Sequence, residues 1–318
     1  MSAGSSLPYR LRPNKAVDRE LFLSLLLRLA PTMELENHHY IGLGGPFLED
    51  FRLVHARLGI DRMTCVEEEE EVHKRQAFNR PVETVECIHS CLEDYLDDHD
   101  FMQPVIIWFD YTDPGQVTSQ IARFARTVGE VPLNSVLRIT LNANPGSLGN
   151  APSGSQSGDA LLSWRLEQFR ARLGTICPTD VTADGMAIKT YGPCILHALY
   201  LAVESVVLSH RDRKVVWALS THYADGQAMV TAALIVCEAS DMVVESLVRG
   251  WRYVSPPRLP HCIDLPALSS LERLTMEANA DARTKLGYAL PPLKLAEDPF
   301  EEFKKFYRIY PHFSRVEL

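Results

Sequence analysis

The chain has no Cys-x-x-Cys pair, no apolar run long enough to span a bilayer, no excess of basic charge and no internal repeat. Each absence argues against a class of protein. The seven cysteines are scattered; Cys87 and Cys91 stand four apart with no second close pair, which argues against a structural zinc site. Cysteines used this way read as small buried hydrophobes in a reducing compartment, and a cytoplasmic protein is expected. The run Leu21 to Ala30 contains Arg28 and stops at Pro31. It is too short for a membrane span and lacks the cleavage pattern of a secretory signal, so no membrane association is expected. It reads as a buried or amphipathic helix. With 32 basic and 41 acidic residues the net charge is −9, which disfavours nucleic acid as a partner.

What is present is an alternation of strand-like and helix-like segments over 318 residues. His39-Tyr40-Ile41 reads as the end of a strand and is followed by Gly42-Leu43-Gly44-Gly45. Glycines there let the backbone turn tightly and approach a ligand. Pro46 stands where a helix can begin, and Phe47, Leu48, Phe51, Val54 and Leu58 recur at helical spacing. Met63 to Val66 then delivers Glu67 to a strand end, 22 residues after Gly45. An acid at that distance can accept hydrogen bonds from both hydroxyls of a ribose. Further strands are expected at Thr84 to His89, Val105 to Phe109 (ending at Asp110) and Val136 to Leu141. Asp225-Gly226 between two apolar runs signals an antiparallel hairpin. Residues 145–158, rich in Gly, Ser, Asn and Pro, read as a loop, either a lid or plain surface.

With these elements in place, residues 35–240 resemble the class I S-adenosylmethionine-dependent methyltransferases. The resemblance implies a doubly wound, Rossmann-like α/β sheet of seven strands, mostly parallel, closed by an antiparallel hairpin. It implies S-adenosyl-L-methionine as cofactor, with the glycine loop at Gly42, Gly44 and Gly45, the ribose acid at Glu67, and Asp110 facing the methionine part or the substrate. Ser90 and Cys91 occupy the stretch that contacts adenine in such proteins, and Tyr40 stands where an acid is common. Residues 1–34 are expected to form a helical segment. Residues 241–318 are expected to form a C-terminal helical extension that packs on the domain or makes an interface with a second copy or a protein partner.

Methyl transfer to an oxygen of a small molecule is the reaction expected, since alignment supplies most of the rate and an acid–base group removes the acceptor's proton. Asp110, Asp113 and His222 are the candidate catalytic residues. A divalent metal such as Mg²⁺ on Asp110, Asp113, Asn142 and Asn144 is the lesser alternative, because the same residues are ordinary turn formers. Asp110-Tyr111-Thr112-Asp113-Pro114 is not the Asp/Asn-Pro-Pro-aromatic signature of DNA amino methylation. Two other readings stay open: a nicotinamide-dependent oxidoreductase, disfavoured by the hairpin, and a non-catalytic methyltransferase-like interaction protein.

Overall fold

The computed structural model describes residues 12–279 and 281–310. The first eleven residues of the expected N-terminal segment, together with 280 and 311–318 of the extension, lie outside the described residues. Among the described residues eight strands form one sheet: β1 (His39–Gly42), β2 (Met63–Glu67), β3 (Val85–His89), β4 (Val105–Asp110), β5 (Ser135–Asn142), β6 (Arg213–Asp225), β7 (Gln227–Glu238) and β8 (His261–Ile263). Their order is β3-β2-β1-β4-β5-β7-β6-β8. β7 runs antiparallel to both β5 and β6, and the remaining pairs are parallel. The expectation of seven strands is therefore corrected to eight. β8 comes from the C-terminal extension and pairs with the outer edge of β6, where unpaired backbone groups would otherwise face solvent.

The helices are α1 (Pro13–Met33), α2 (Glu49–Leu58), α3 (Glu70–Asn79), α4 (Leu92–Asp98), α5 (Val117–Glu130), α6 (Gly158–Leu173), α7 (Tyr191–Val207), α8 (Val243–Arg249), α9 (Ser270–Ala278), α10 (Ala282–Leu286) and α11 (Pro299–Phe306). Alternation along the strands builds two cores. On β4, Ile106 and Trp108 face α1, α2, α8 and the extension, whereas Ile107 and Phe109 face α5 and α7. In α11, Phe300, Phe303 and Phe306 join the α1 core while the lysines stay outside. The aromatic face of α11 thus docks on the domain. No helix among the described residues is long and apolar enough to cross a membrane.

α1 spans the back of the sheet with a stripe that begins polar and ends apolar. Lys15, Asp18 and Arg19 continue on the same face as Phe22, Leu25, Leu26 and Leu29, and all are buried. Asp18 pairs with the fully buried Arg138 of β5. It also accepts from Thr221 Oγ1 at 2.6 Å and Thr231 Oγ1 at 3.1 Å. The Arg138 guanidinium lies 4.5 Å from the Phe22 ring and 4.4 Å from the Trp108 ring, so the flat faces of the cation are covered by π-systems. Asp225, at the hairpin, accepts from the backbone N–H of Asn14 and Lys15 at 3.3 and 2.7 Å. It therefore satisfies the orphan donors of the first turn of α1, a cap supplied from 210 residues away.

Candidate active site

The strand order reverses between β1 and β4, and the carboxyl ends of those strands flank a crevice, the place where open α/β sheets bind ligands. A cleft of about 570 Å³ lies there. Its lining comes from the glycine loop (Leu43, Gly45, Pro46), the end of β2 (Glu67 to Glu69) and Val72 of α3. Ser90 to Glu93, Asp110 to Asp113, and Gln116, Ser119 and Gln120 complete it.

The glycine loop leaves β1 at Gly42 and turns with Gly44 and Gly45 at φ +63° and +56°. A Cβ on Gly44 would sit 2.6 Å from Phe51 and 2.7 Å from Leu48, so this glycine is demanded by α2 packing as well as by its conformation. Gly42 and Gly44 stand behind the cleft wall, and Gly45 faces it. Gln76 Nε2 donates to the Leu43 carbonyl at 2.9 Å, and Asn79 Nδ2 to that of Pro46 at 2.7 Å. The helix does not start at Pro46 as expected. Residues 45–48 form turns, with Leu48 left-handed at φ +49°, and α2 begins at Glu49. The first turn of α2 carries Glu49 and Asp50, both paired with Arg19 of α1.

Glu67 is half-buried and accepts from the Glu69 N–H at 2.9 Å. Burial raises its carboxyl above the ordinary range, the neighbouring acids adding to this. Cys91 caps α4 by accepting from Asp94 N at 3.3 Å. The Tyr111 hydroxyl donates to Glu93 Oε1 at 2.7 Å. Asp110 receives Lys15 Nζ at 2.8 Å, the Lys15 side chain being buried and that of Asp110 11% exposed. Burial alone would raise Asp110, but the Lys15 charge and hydrogen bond, Thr140 and Arg138 hold it below the ordinary carboxylate range. Asp113 is exposed and caps the turn at Pro114–Gln116, accepting from Gly115 N at 2.8 Å.

Gly45, Glu67, Ser90, Cys91, Asp110 and Asp113 thus meet in one cleft. His222 does not join them. β6 continues to Asp225, so His222 is an interior strand residue, 3% exposed, beneath α7 and lining a different cavity. Asn142 and Asn144 are used in turns: Asn142 Oδ1 accepts from Asn144 N at 3.0 Å, and Asn144 Oδ1 from Gly146 N at 2.9 Å. No group of three His, Cys, Asp or Glu residues is placed for a metal among the described residues. Residues 145–158 do not line the cleft; Leu148 and Ala151 are buried.

Lys15 is the residue that the sequence analysis missed. Its signal was the charged continuation of a buried helical stripe at positions 15, 18 and 19.

Burial lowers several histidines, His39 and His222 the furthest. His39, whose Nε2 lies 2.8 Å from Thr64 Oγ1, and His222 are each pushed down to about 4, chiefly by burial. Their unfolded value is near 6.5. Between about pH 6.5 and 4 the unfolded chain therefore binds more protons at these sites, and their contribution to stability falls as pH falls. The carboxyls of the buried Asp50 and the half-buried Asp225 are raised by desolvation and act in the opposite sense. Comparing wild type with His222→Gln isolates the histidine. In urea melts from pH 7.5 to 4.5, the wild type should lose on the order of 3 kcal/mol relative to the variant. Parallel pH profiles would show that His222 is solvated in the native state.

A sequence-family model described as "Putative O-methyltransferase" matches residues 7–318. No curated protein sequence matches the chain. Among solved structures, the chain is similar to Trm1 from Pyrococcus horikoshii in complex with S-adenosyl-L-methionine. The identity is 12%, over 74% of this chain and 57% of that one, with a TM-score of 0.48. It is also similar to a DUF574 family protein from Streptomyces avermitilis at 13% identity, over 70% and 83% of the two chains, with a TM-score of 0.40. The plantazolicin methyltransferase BpumL in complex with SAH is similar at 10% identity, over 71% and 87%, with a TM-score of 0.38.

Proposed function

The chain belongs to the family described as "Putative O-methyltransferase", and on that premise we propose that it moves the methyl group of S-adenosylmethionine to an oxygen of a small molecule at the cleft beside Asp110. The observation that carries the reading is the meeting of Gly45, Glu67 and Asp110 in one cavity at the reversal of strand order.

The residues present fit that cofactor. The cavity volume suits a nucleoside-sized ligand. Glu67 offers a carboxylate to the two ribose hydroxyls, Ser90 and Cys91 border the place of the base, and Leu43 and Gly45 bring backbone close to the ligand. The charge also fits. Glu67, Glu68, Glu69, Glu93, Asp110 and Asp113 line the cleft with no lysine or arginine among the lining residues. An acidic cleft attracts a cationic sulfonium and repels a pyrophosphate. Glu49 and Asp50 in the first turn of α2 further spoil the helix terminus that a dinucleotide would use. This favours methyl transfer over the nicotinamide alternative.

Bound S-adenosylmethionine supplies an electrophilic methyl on a positively charged sulfur. Asp110, kept ionised by Lys15, provides negative charge at the end of β4. Asp113, exposed three residues later, is the carboxylate available to take the acceptor's proton. The cleft walls fix the approach of the reacting groups, the main source of rate in such a displacement.

Calorimetric titration of the wild type and Asp110→Asn with S-adenosylmethionine and S-adenosylhomocysteine tests the reading. Only the first ligand is cationic at sulfur. The variant, left with the Lys15 charge, should bind S-adenosylmethionine about tenfold more weakly and S-adenosylhomocysteine nearly as before. Equal weakening of both ligands would remove Asp110 from the sulfonium, and binding of neither by the wild type would overturn the cofactor.

A further inference from the structure

A second cavity, of about 300 Å³, opens on the α7 face of the sheet. His222 of β6 forms part of its wall, Lys189 and Arg258 stand at its mouth, and Leu259 and Leu295 give it an apolar side. Leu295 belongs to the C-terminal extension, and its N–H is held by the buried Asp264 at 2.5 Å, so the extension completes the cavity. The register Asp110–Thr140–Thr231–Thr221 crosses β4, β5, β7 and β6. His222 therefore lies about 14 Å from the level of Asp110 at the ordinary strand spacing. That distance separates it from the methyl-transfer cleft.

Three observations point to a ligand. First, His222 is 3% exposed, yet its Nε2 is buried with no hydrogen-bond partner among the described residues. An unpaired polar atom in that position is costly unless something else satisfies it. Second, the first turn of α7 lies against this ring. A Cβ on Gly192 would sit 3.0 Å from His222 Nε2. α7 is seventeen residues long, and its N-cap, Thr190, makes no side-chain cap. The Thr190 hydroxyl instead donates backwards to the Asp184 carbonyl at 2.6 Å. A helix start in this state favours negative charge. Third, in a chain of net charge −9, this cavity has two cations and no carboxylate in its lining. Arg258 meets Asp180 at 2.8 Å and Lys189 meets Glu297 at 3.7 Å, but all four groups are about half exposed or more. Exposed pairs of this kind are weak and yield readily to a competing anion.

We propose that this cavity is a second ligand site, which takes a small anion, a carboxylate or a phosphate, between Lys189 and Arg258, with the His222 imidazole N–H donating from its wall. The site stands independently of the methyl-transfer reading. Its apolar side allows the anion to be free or to be the acidic end of a larger organic molecule.

The test is titration of the full-length protein with inorganic phosphate at fixed ionic strength, read by the imidazole ¹⁵N–¹H correlation of His222. A saturable shift is expected. In Lys189→Met/Arg258→Met, two surface changes that leave the cores intact, binding should weaken about tenfold or more. Lys189→Arg should retain it. Absence of a saturable shift in the wild type would overturn the site, and so would equal affinity in the double variant. Butyl phosphate run in parallel identifies the source. Tighter binding than inorganic phosphate supports the site as one for an organic acid, and weaker binding supports it as one for a free anion. S-adenosylhomocysteine is added as a separate arm. Its binding leaves the phosphate response in place, so failure at one cavity is distinguishable from failure at the other.

Discussion

On the proposed reading, Glu67→Ala will lower the affinity for S-adenosylhomocysteine by about 100-fold or more, because it would remove two hydrogen bonds between a carboxylate and the ribose, each worth about 1.5–3 kcal/mol. The same change will leave the unfolding free energy within about 1 kcal/mol of wild type. The asymmetry follows from the position of Glu67. It ends β2 at the cleft, is only half-buried, and its carboxylate receives the Glu69 N–H at 2.9 Å. Burial raises its carboxyl, and the backbone hydrogen bonds from Glu69 and Glu68 offset only part of this. Calorimetric titration and urea unfolding on the same preparation check both halves. An affinity within about threefold of wild type would mean that the ribose does not sit at the end of β2. Glu67→Gln, which keeps one acceptor oxygen, should fall between the two.

The second large effect lies in the fold itself. Asp18→Leu and Arg138→Met should each destabilise the protein by about 3–5 kcal/mol, since each leaves a partner charge buried and uncompensated. That is a large part of the total stability of an ordinary domain. Asp18 and Arg138 are both fully buried, and Asp18 also receives the hydroxyls of Thr221 and Thr231. The pair joins α1 to β5, β6 and β7, so its loss loosens the helix that carries Lys15 to Asp110. The double variant Asp18→Leu/Arg138→Met should recover most of the loss, because an apolar pair needs no solvation. Urea midpoints of the four proteins form the cycle. Single variants costing under about 1 kcal/mol would show that water reaches the pair.

The central sheet and most of its cleft were legible along the chain. β1, the glycine loop and β2 are contiguous, and local backbone demands place Gly45 and Glu67. The run Val105 to Phe109 is apolar on both faces because β4 is covered on both, and it delivers Asp110. Asp225-Gly226 does make the hairpin. Other features were not legible, because they depend on contacts between distant segments. β8 is three residues long and becomes a strand only by pairing with β6. His222 was read as a candidate catalytic residue, because turn residues mark where a hairpin bends but not how far its strands continue into the core. Asp225 was read as a turn former, and it also caps α1.

Local chemistry along the chain determined the alternation of strands and helices, the tight glycine turn and the acid that follows it, since period, φ preference and spacing are properties of neighbouring residues. Tertiary structure alone decided which charges became partners. Lys15 meets Asp110 across 95 residues, Asp18 meets Arg138 across 120, and Arg19 meets Glu49 across 30. The helical period marks positions 15, 18 and 19 as one face, but it does not say which distant charges they meet. Only packing α1 against the sheet removes water from these groups and makes their pairing obligatory.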